Sequence, residues 1–359
     1  MKRNATIAAL IAVVLYCAFA VVILRRNGFD ASRLVLAGDE FTDPASAPKS
    51  LTVAANAPGY DGQFYYRLAE APLSTAERVT GIRFDYPVYR AQRIGYPLLV
   101  RLFSAGSPRA IPWAMLLLNI AAAGAIAATA ATIVTRWWTA LAVALFPGFL
   151  LTMSRDLVEL VEIAFLLLAL RFLLSRRIVL AVTFLTLAVL TKETAILFAI
   201  AAGAALLLRD RAVVRASAFA IPIAAHFGWK LFLFRLWNLP PNLGASEHFT
   251  LPFAGMASAM RGANRLLLIE GTLIVIFTII VALAFRSSRA ALPVKLAWIA
   301  YALLFFTLGA EFWWEDWSFL RAASDYGVFG TLIAVESDSF RVPVTLLVMI
   351  SWFALAILR

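Results

Sequence analysis

Long apolar stretches separated by short polar breaks run through most of this chain. Their spacing predicts membrane-crossing helices over 5–24, 111–134, 140–151, 157–174, 178–190, 195–208, 212–234, 266–285, 292–308, 326–335 and 342–358. That is about eleven, given that ~20 apolar residues in a helix cross ~30 Å of hydrocarbon. Several, such as 140–151 and 326–335, are too short to cross upright unless neighbours cover their ends. The first run follows Met1-Lys2-Arg3, and its apolar core is too long for a cleaved leader. It is expected to be an uncleaved anchor with its N-terminus in the cytoplasm. One polar segment, 25–93, breaks the pattern. At roughly 70 residues it is too long to be structureless, and short helices are predicted at 63–70 and 75–79 between loops marked by Pro, Gly and Asp. The expected fold class is therefore an all-α polytopic membrane protein. A single domain, 1–359, comprises an outer loop over 25–93 and a helical bundle over 94–359. No repeat or low-complexity tract interrupts it.

Composition agrees: 62% of residues are hydrophobic and 15% charged, against nearer half and a quarter in a soluble domain. The formal charge of +11 would suggest nucleic acid in a soluble protein. Here Arg136, Arg176-Arg177, Arg209, Arg211, Arg215, Arg286 and Arg289 fall at the ends of apolar runs on the side threaded as cytoplasmic. Positive-inside bias and anionic lipid headgroups explain them, so membrane lipids are expected partners and nucleic acid is not. Almost every carboxylate falls on the opposite side. The lone cysteine, Cys17, lies in the first apolar run, and the only histidines, His226 and His248, sit in unrelated places. No intrachain disulfide is possible, and neither a thiol nor a His-based metal centre is expected. Carboxylates without a spaced ligand set neither demand nor exclude a divalent cation, so no cofactor is assigned.

The chemistry concentrates in a few motifs. Gly59-Tyr60-Asp61-Gly62-Gln63-Phe64-Tyr65-Tyr66 sets a carboxylate between glycines and aromatics in the polar segment. Glycine permits close approach of a ligand, the aromatics suit a headgroup level or a sugar face, and Asp61 can take a proton. Asp61 is expected on a solvated rim, contributing little to stability. Asp39-Glu40 is a second candidate base, whereas Asp43 reads as a solvated loop acid. Arg90 and Arg93, three apart, can share a helix face and clamp a phosphate, or simply touch lipid headgroups. Asp156 stands where it could cap a helix, and Glu159 and Glu162 enter a span. Lys192 and Glu193 form a tight turn between apolar runs, where Lys192 can answer a phosphate or pair with those acids. In 311–321 three tryptophans surround three acids, with Arg321 beyond them. Their indoles suit a membrane interface or a sugar face. No nucleotide loop, Walker signature or Ser-His-Asp arrangement is visible.

Tyr60-Asp61-Gly62 with its aromatic run and Leu68-Ala69, followed by Arg93-Ile94-Gly95-Tyr96-Pro97-Leu98-Leu99, resembles the first-loop signature of bacterial membrane proteins that build cell-surface glycopolymers. Ser154-Arg155-Asp156 and Leu190-Thr191-Lys192-Glu193-Thr194 are similar to motifs of the same group. These proteins in turn resemble the PIG-V mannosyltransferases, in which Trp-Asp-Gly precedes the aromatic run. Both belong to the GT-C superfamily of polytopic glycosyltransferases. The likeness covers most of 59–194 and the tryptophan-rich loop near 311–321. It implies a GT-C-like bundle in the bacterial inner membrane, with an active site facing the periplasm. It also implies inverting transfer of a sugar from a polyprenyl-phosphate donor to a glycan or lipid acceptor. By the motif match Asp61 is the implied base; in some members an acidic pair soon after the first helix serves, which would be Asp39-Glu40. Tyr60, Gln63, Tyr66, Arg90, Arg93, Tyr96, Asp156, Glu159, Lys192, Glu193 and Arg321 are the expected substrate- and phosphate-binding residues. Tyr60 stands where PIG-V proteins have Trp, so mannose specificity does not carry over. The rival reading is a non-catalytic transporter, flippase or accessory subunit for lipid-linked glycans, which would use the same arginines and aromatics without a base.

Overall fold

The computed structural model describes residues 2–239 and 249–358, with the side chain of Asp316 excepted. His248 lies outside the described residues. Apart from one parallel pairing of Ala37–Gly38 with Val53–Ala54, the regular structure is helical. Five described helices are long and apolar enough to cross a membrane: Lys2–Arg26, Ile111–Ile133, Val213–Leu236, Arg265–Ser287 and Arg341–Leu358. A sixth is formed if Trp137–Ala144 and Gly148–Ser154, bent by 53°, make one span. The break falls at Pro147, whose ring fixes φ and removes a backbone donor. The run expected as a short span at 140–151 is thus two helices joined by a bend.

Other expected spans form shorter helices. Glu159–Leu174, Ile178–Thr191, Ile196–Asp210, Leu292–Phe306 and Ser324–Val335 have 12 to 16 residues. At 1.5 Å per residue they reach roughly 18–24 Å, short of ~30 Å of hydrocarbon. Ser324–Val335 is buried along its whole length, so protein rather than lipid surrounds it. Elsewhere small residues bring backbones together. Lys2–Arg26 packs along Ile111–Ile133, where a methyl group at Gly124 would lie 2.7 Å from Val13 Cγ2. Tyr16 locks the same corner by donating to the Ala144 carbonyl at 2.9 Å.

The polar segment folds as a cover over one end of the bundle. Its main helix is Asp61–Glu70, two residues longer at the start than the predicted 63–70. No helix forms at 75–79. The reason is Arg67, buried inside the cover, which turns the carbonyls of Ala76 (2.5 Å), Glu77 (3.0 Å) and Ile82 (2.7 Å) onto its guanidinium. Carbonyls turned inward to one guanidinium converge on a point, whereas a helical ladder needs them parallel along an axis.

Candidate functional site

Two glycines deliver Asp61 to its position. Gly59 takes φ +69°, and a methyl group there would come 2.5 Å from the Leu36 carbonyl oxygen. Gly62 packs so tightly that a methyl group would meet the carbonyl oxygens of Arg155 at 2.6 Å and Val35 at 2.7 Å. Asp61 therefore opens its helix hard against the turn after Ser154. Its carboxylate, 16% exposed, meets three guanidinium groups. Arg90 Nη1 lies 2.6 Å from Oδ1, Arg321 Nη1 2.9 Å from Oδ2, and Arg93 Nη1 3.7 Å from Oδ2. This part-buried, paired setting is a correction to the solvated rim expected from sequence, because the helix that Asp61 opens packs it against Arg90, Arg93 and Arg321.

Each arginine is fixed from behind. Asp85 takes the fork of Arg90 through Nε at 2.8 Å and Nη2 at 2.5 Å, and the guanidinium lies 4.4 Å from the Phe64 ring centroid. Glu193 does the same for Arg93, through Nε at 2.9 Å and Nη2 at 2.6 Å, while Arg93 Nη1 donates to the Tyr65 hydroxyl at 3.2 Å. Arg321 Nε lies 3.6 Å from Glu159 Oε1, and its guanidinium 5.3 Å from the Tyr60 ring centroid. Burial alone would raise the Asp61 carboxyl, but the charges of Arg90, Arg321 and Arg93 outweigh it and hold the group well below the usual carboxylate range. For Glu193 burial again opposes, and Arg93 brings the value down to about 2.

A second cluster lies behind the first. Lys192 Nζ is 3.3 Å from both Glu162 Oε2 and Asp325 Oδ2, and 3.8 Å from Glu159 Oε1. Thr194 Oγ1 sits 3.1 Å from Glu162 Oε1 and from Asp325 Oδ2. Glu159 faces both Arg321 and Lys192 and so joins the clusters. Among the described residues no group of His, Cys, Asp or Glu is arranged to hold a metal ion.

The structure thus brings Asp61, Arg90, Arg93, Arg321, Glu193, Glu159 and Lys192 together. Tyr60 borders them, its ring 5.0 Å from the Arg155 guanidinium, which also covers Trp317 at 3.7 Å. Other sequence candidates serve the scaffold. Gln63 is a buried knot: Oε1 accepts from Gly38 N–H (3.2 Å) and Thr42 Oγ1 (2.9 Å), and Nε2 donates to the Pro58 carbonyl (2.9 Å). Tyr66 donates to the Pro108 carbonyl and Tyr96 to the Met115 carbonyl. Asp156 does not cap the following helix. It is fully buried at φ +49°, neither oxygen has a hydrogen-bond partner, and burial pushes its carboxyl well above the usual range. Asp39 and Glu40 are exposed, away from the arginines: Asp39 accepts the backbone N–H groups of Asn56 (2.8 Å) and Ala57 (3.1 Å), and the Glu40 carbonyl accepts from Arg83. Trp313 is core, stacked on Phe319, and Trp314 is exposed.

Sequence reasoning missed Asp85, Tyr65 and Asp325. Asp85 precedes Arg90 by five residues, outside the helical spacings that flag pairs; the nearest signal is an acid just before the proline that starts Pro87–Ala91. No family profile, curated protein or solved structure matches the chain.

Proposed function

We propose that the protein is an inverting membrane glycosyltransferase of GT-C type, with about eleven crossings of the bacterial inner membrane. In this reading it moves a sugar from a polyprenyl-phosphate donor to a glycan or lipid acceptor on the periplasmic face. The observation that carries the reading is a part-exposed carboxylate, Asp61, that faces three arginines at once where the cover meets the bundle. An apolar groove supports it. Leu320 and Ala323, on the same turn as Arg321, line that groove together with Leu266, Ile269, Leu347 and Leu355. An isoprenoid chain lying there would bring its phosphate toward Arg321. The GT-C resemblance itself rests on the motifs within 59–194 and 311–321.

In the reaction, the acceptor oxygen attacks the anomeric carbon and its proton passes to an Asp61 carboxylate oxygen. The bond from that carbon to the phosphate oxygen breaks, and the electron pair leaves with the polyprenyl phosphate. Guanidinium groups stabilise the charge that gathers on the departing oxygen. A positioned base contributes about 10²–10⁴-fold, so orientation and leaving-group charge must supply the larger share. The test is consumption of a labelled polyprenyl-phosphate sugar by purified protein. Transfer by the wild type and its loss in Asp61→Asn are expected. Binding without consumption would favour a carrier, and retained transfer in Asp61→Asn with loss in Asp39→Asn or Glu40→Gln would move the base to that pair.

A further inference from the structure

Asp61 is held in a way that conflicts with its proposed task. A carboxylate facing Arg90, Arg93 and Arg321 is stabilised as an anion, and that makes it a weak proton acceptor. The other groups around it do not relieve this. Tyr65 and Tyr89 are turned to Arg93, Glu193 and Asp85 are committed to the arginine forks, and Glu159 lies behind Arg321. The Arg90 and Arg93 tips that meet Asp61 are the ones left over once those forks are filled, and Arg321 keeps an ion pair to Glu159 at 3.6 Å. These contacts hold the arginines independently of the Asp61 carboxylate.

We propose that Asp61 is the resident occupant of an anion seat, and that a phosphate group displaces its carboxylate from Arg90 and Arg321. The released carboxylate is then the group that accepts the acceptor's proton. The inference rests on the glycosyltransferase reading for its purpose, but the seat itself rests on geometry. Asp61 sets one oxygen on Arg90 and the other on Arg321, as two oxygens of a phosphate would be set. Arg90, Arg93 and Arg321 face Asp61, Asp85 and Glu193, with Glu159 shared between Arg321 and Lys192, and a phosphodiester brings the single negative charge that Asp61 withdraws when it takes a proton. Arg90 and Arg321 each keep 15% of the side chain exposed, so the seat is not sealed from solvent. Donor binding would thus switch the base on, and a proton would leave the acceptor only when the phosphate is seated.

The test uses the full-length protein in lipid nanodiscs, with radiolabelled farnesyl phosphate and inorganic phosphate as parallel probes. If Asp61 competes for the seat, Asp61→Asn binds at least about tenfold more tightly than wild type, and Arg321→Gln about tenfold more weakly. Tightening confined to farnesyl phosphate assigns the seat to a lipid headgroup, and tightening for both probes assigns it to phosphate as such. Equal or weaker binding of both probes by Asp61→Asn overturns the proposal, even where sugar transfer is abolished. Should Asp61→Asn fail to fold, unchanged affinity in Arg321→Gln overturns it. Sugar transfer on the same preparations is read separately: a wild type that transfers nothing ends the enzyme reading and leaves the seat to stand on its binding data.

Discussion

Arg90 and Arg93 were legible as a pair from their spacing, but not for what their forks hold. Sequence offered both forks to a phosphate or to lipid headgroups; in the structure they grip Asp85 and Glu193, and only one tip of each faces Asp61. The expectation for substitution survives on a different ground. Lysine has one nitrogen where Arg90 uses three, so Arg90→Lys cannot hold Asp85 and reach the site together. Its turnover is expected to fall at least about tenfold, roughly 1.4 kcal/mol of transition-state stabilisation, measured as kcat with a saturating donor. Full activity would reduce Arg90 to a headgroup contact. Asp61→Asn should cost stability as well as activity, because it removes the one carboxylate that faces all three guanidinium groups. A loss of about 1–3 kcal/mol is expected by denaturant titration in detergent, against none for an acid on an open rim. Asp85 itself was invisible to spacing rules because its partnership spans a turn and a proline.

The turn Thr191-Lys192-Glu193 shows how one element feeds two sites. Lys192 has extended backbone, φ −154° and ψ 131°, so its side chain and that of Glu193 leave in different directions. One joins Glu162 and Asp325, the other Arg93. The sequence identified the charged turn but could not divide its charges, because the division depends on where the Arg93 and Asp325 segments arrive. The same limit explains the missing helix at 75–79. Local propensity allowed it, and a long-range partner, Arg67, took the carbonyls it needed. Glu193 gives this element a measurable signature. Its folded-state carboxyl titrates near 2, below the ordinary 4.5, so its contribution to stability is complete above about pH 4.5 and is lost as pH falls toward about 2. Thermal-stability profiles of wild type and Glu193→Gln should therefore converge over that interval, and parallel profiles would show that the pair contributes nothing.

At the scale of the whole molecule, hydropathy disclosed the class of protein and the long helices, but short buried helices such as Ser324–Val335 cannot be counted as crossings from apolar length alone. Interior packing and lipid contact ask for the same residues. Orientation can be measured directly, because Cys17 is the only native thiol. In a Cys17→Ser background, Glu40→Cys is expected to react with an impermeant maleimide in intact spheroplasts, and Arg211→Cys only after lysis; the reverse pattern would invert the topology. The cover over the site is tied to the bundle at several points. Arg101 holds the carbonyls of Ala69 and Glu70, Tyr66 reaches Pro108, and Trp229 reaches the Ala91 carbonyl. A ceiling pinned by Arg101, Pro108 and Trp229 is a poor entrance for a long hydrocarbon tail. For a substrate already dissolved in the bilayer, the natural doorway is in the wall, where the groove beside Leu320 opens between helices; entry would then be a slide within the plane of the membrane rather than a descent from the water above.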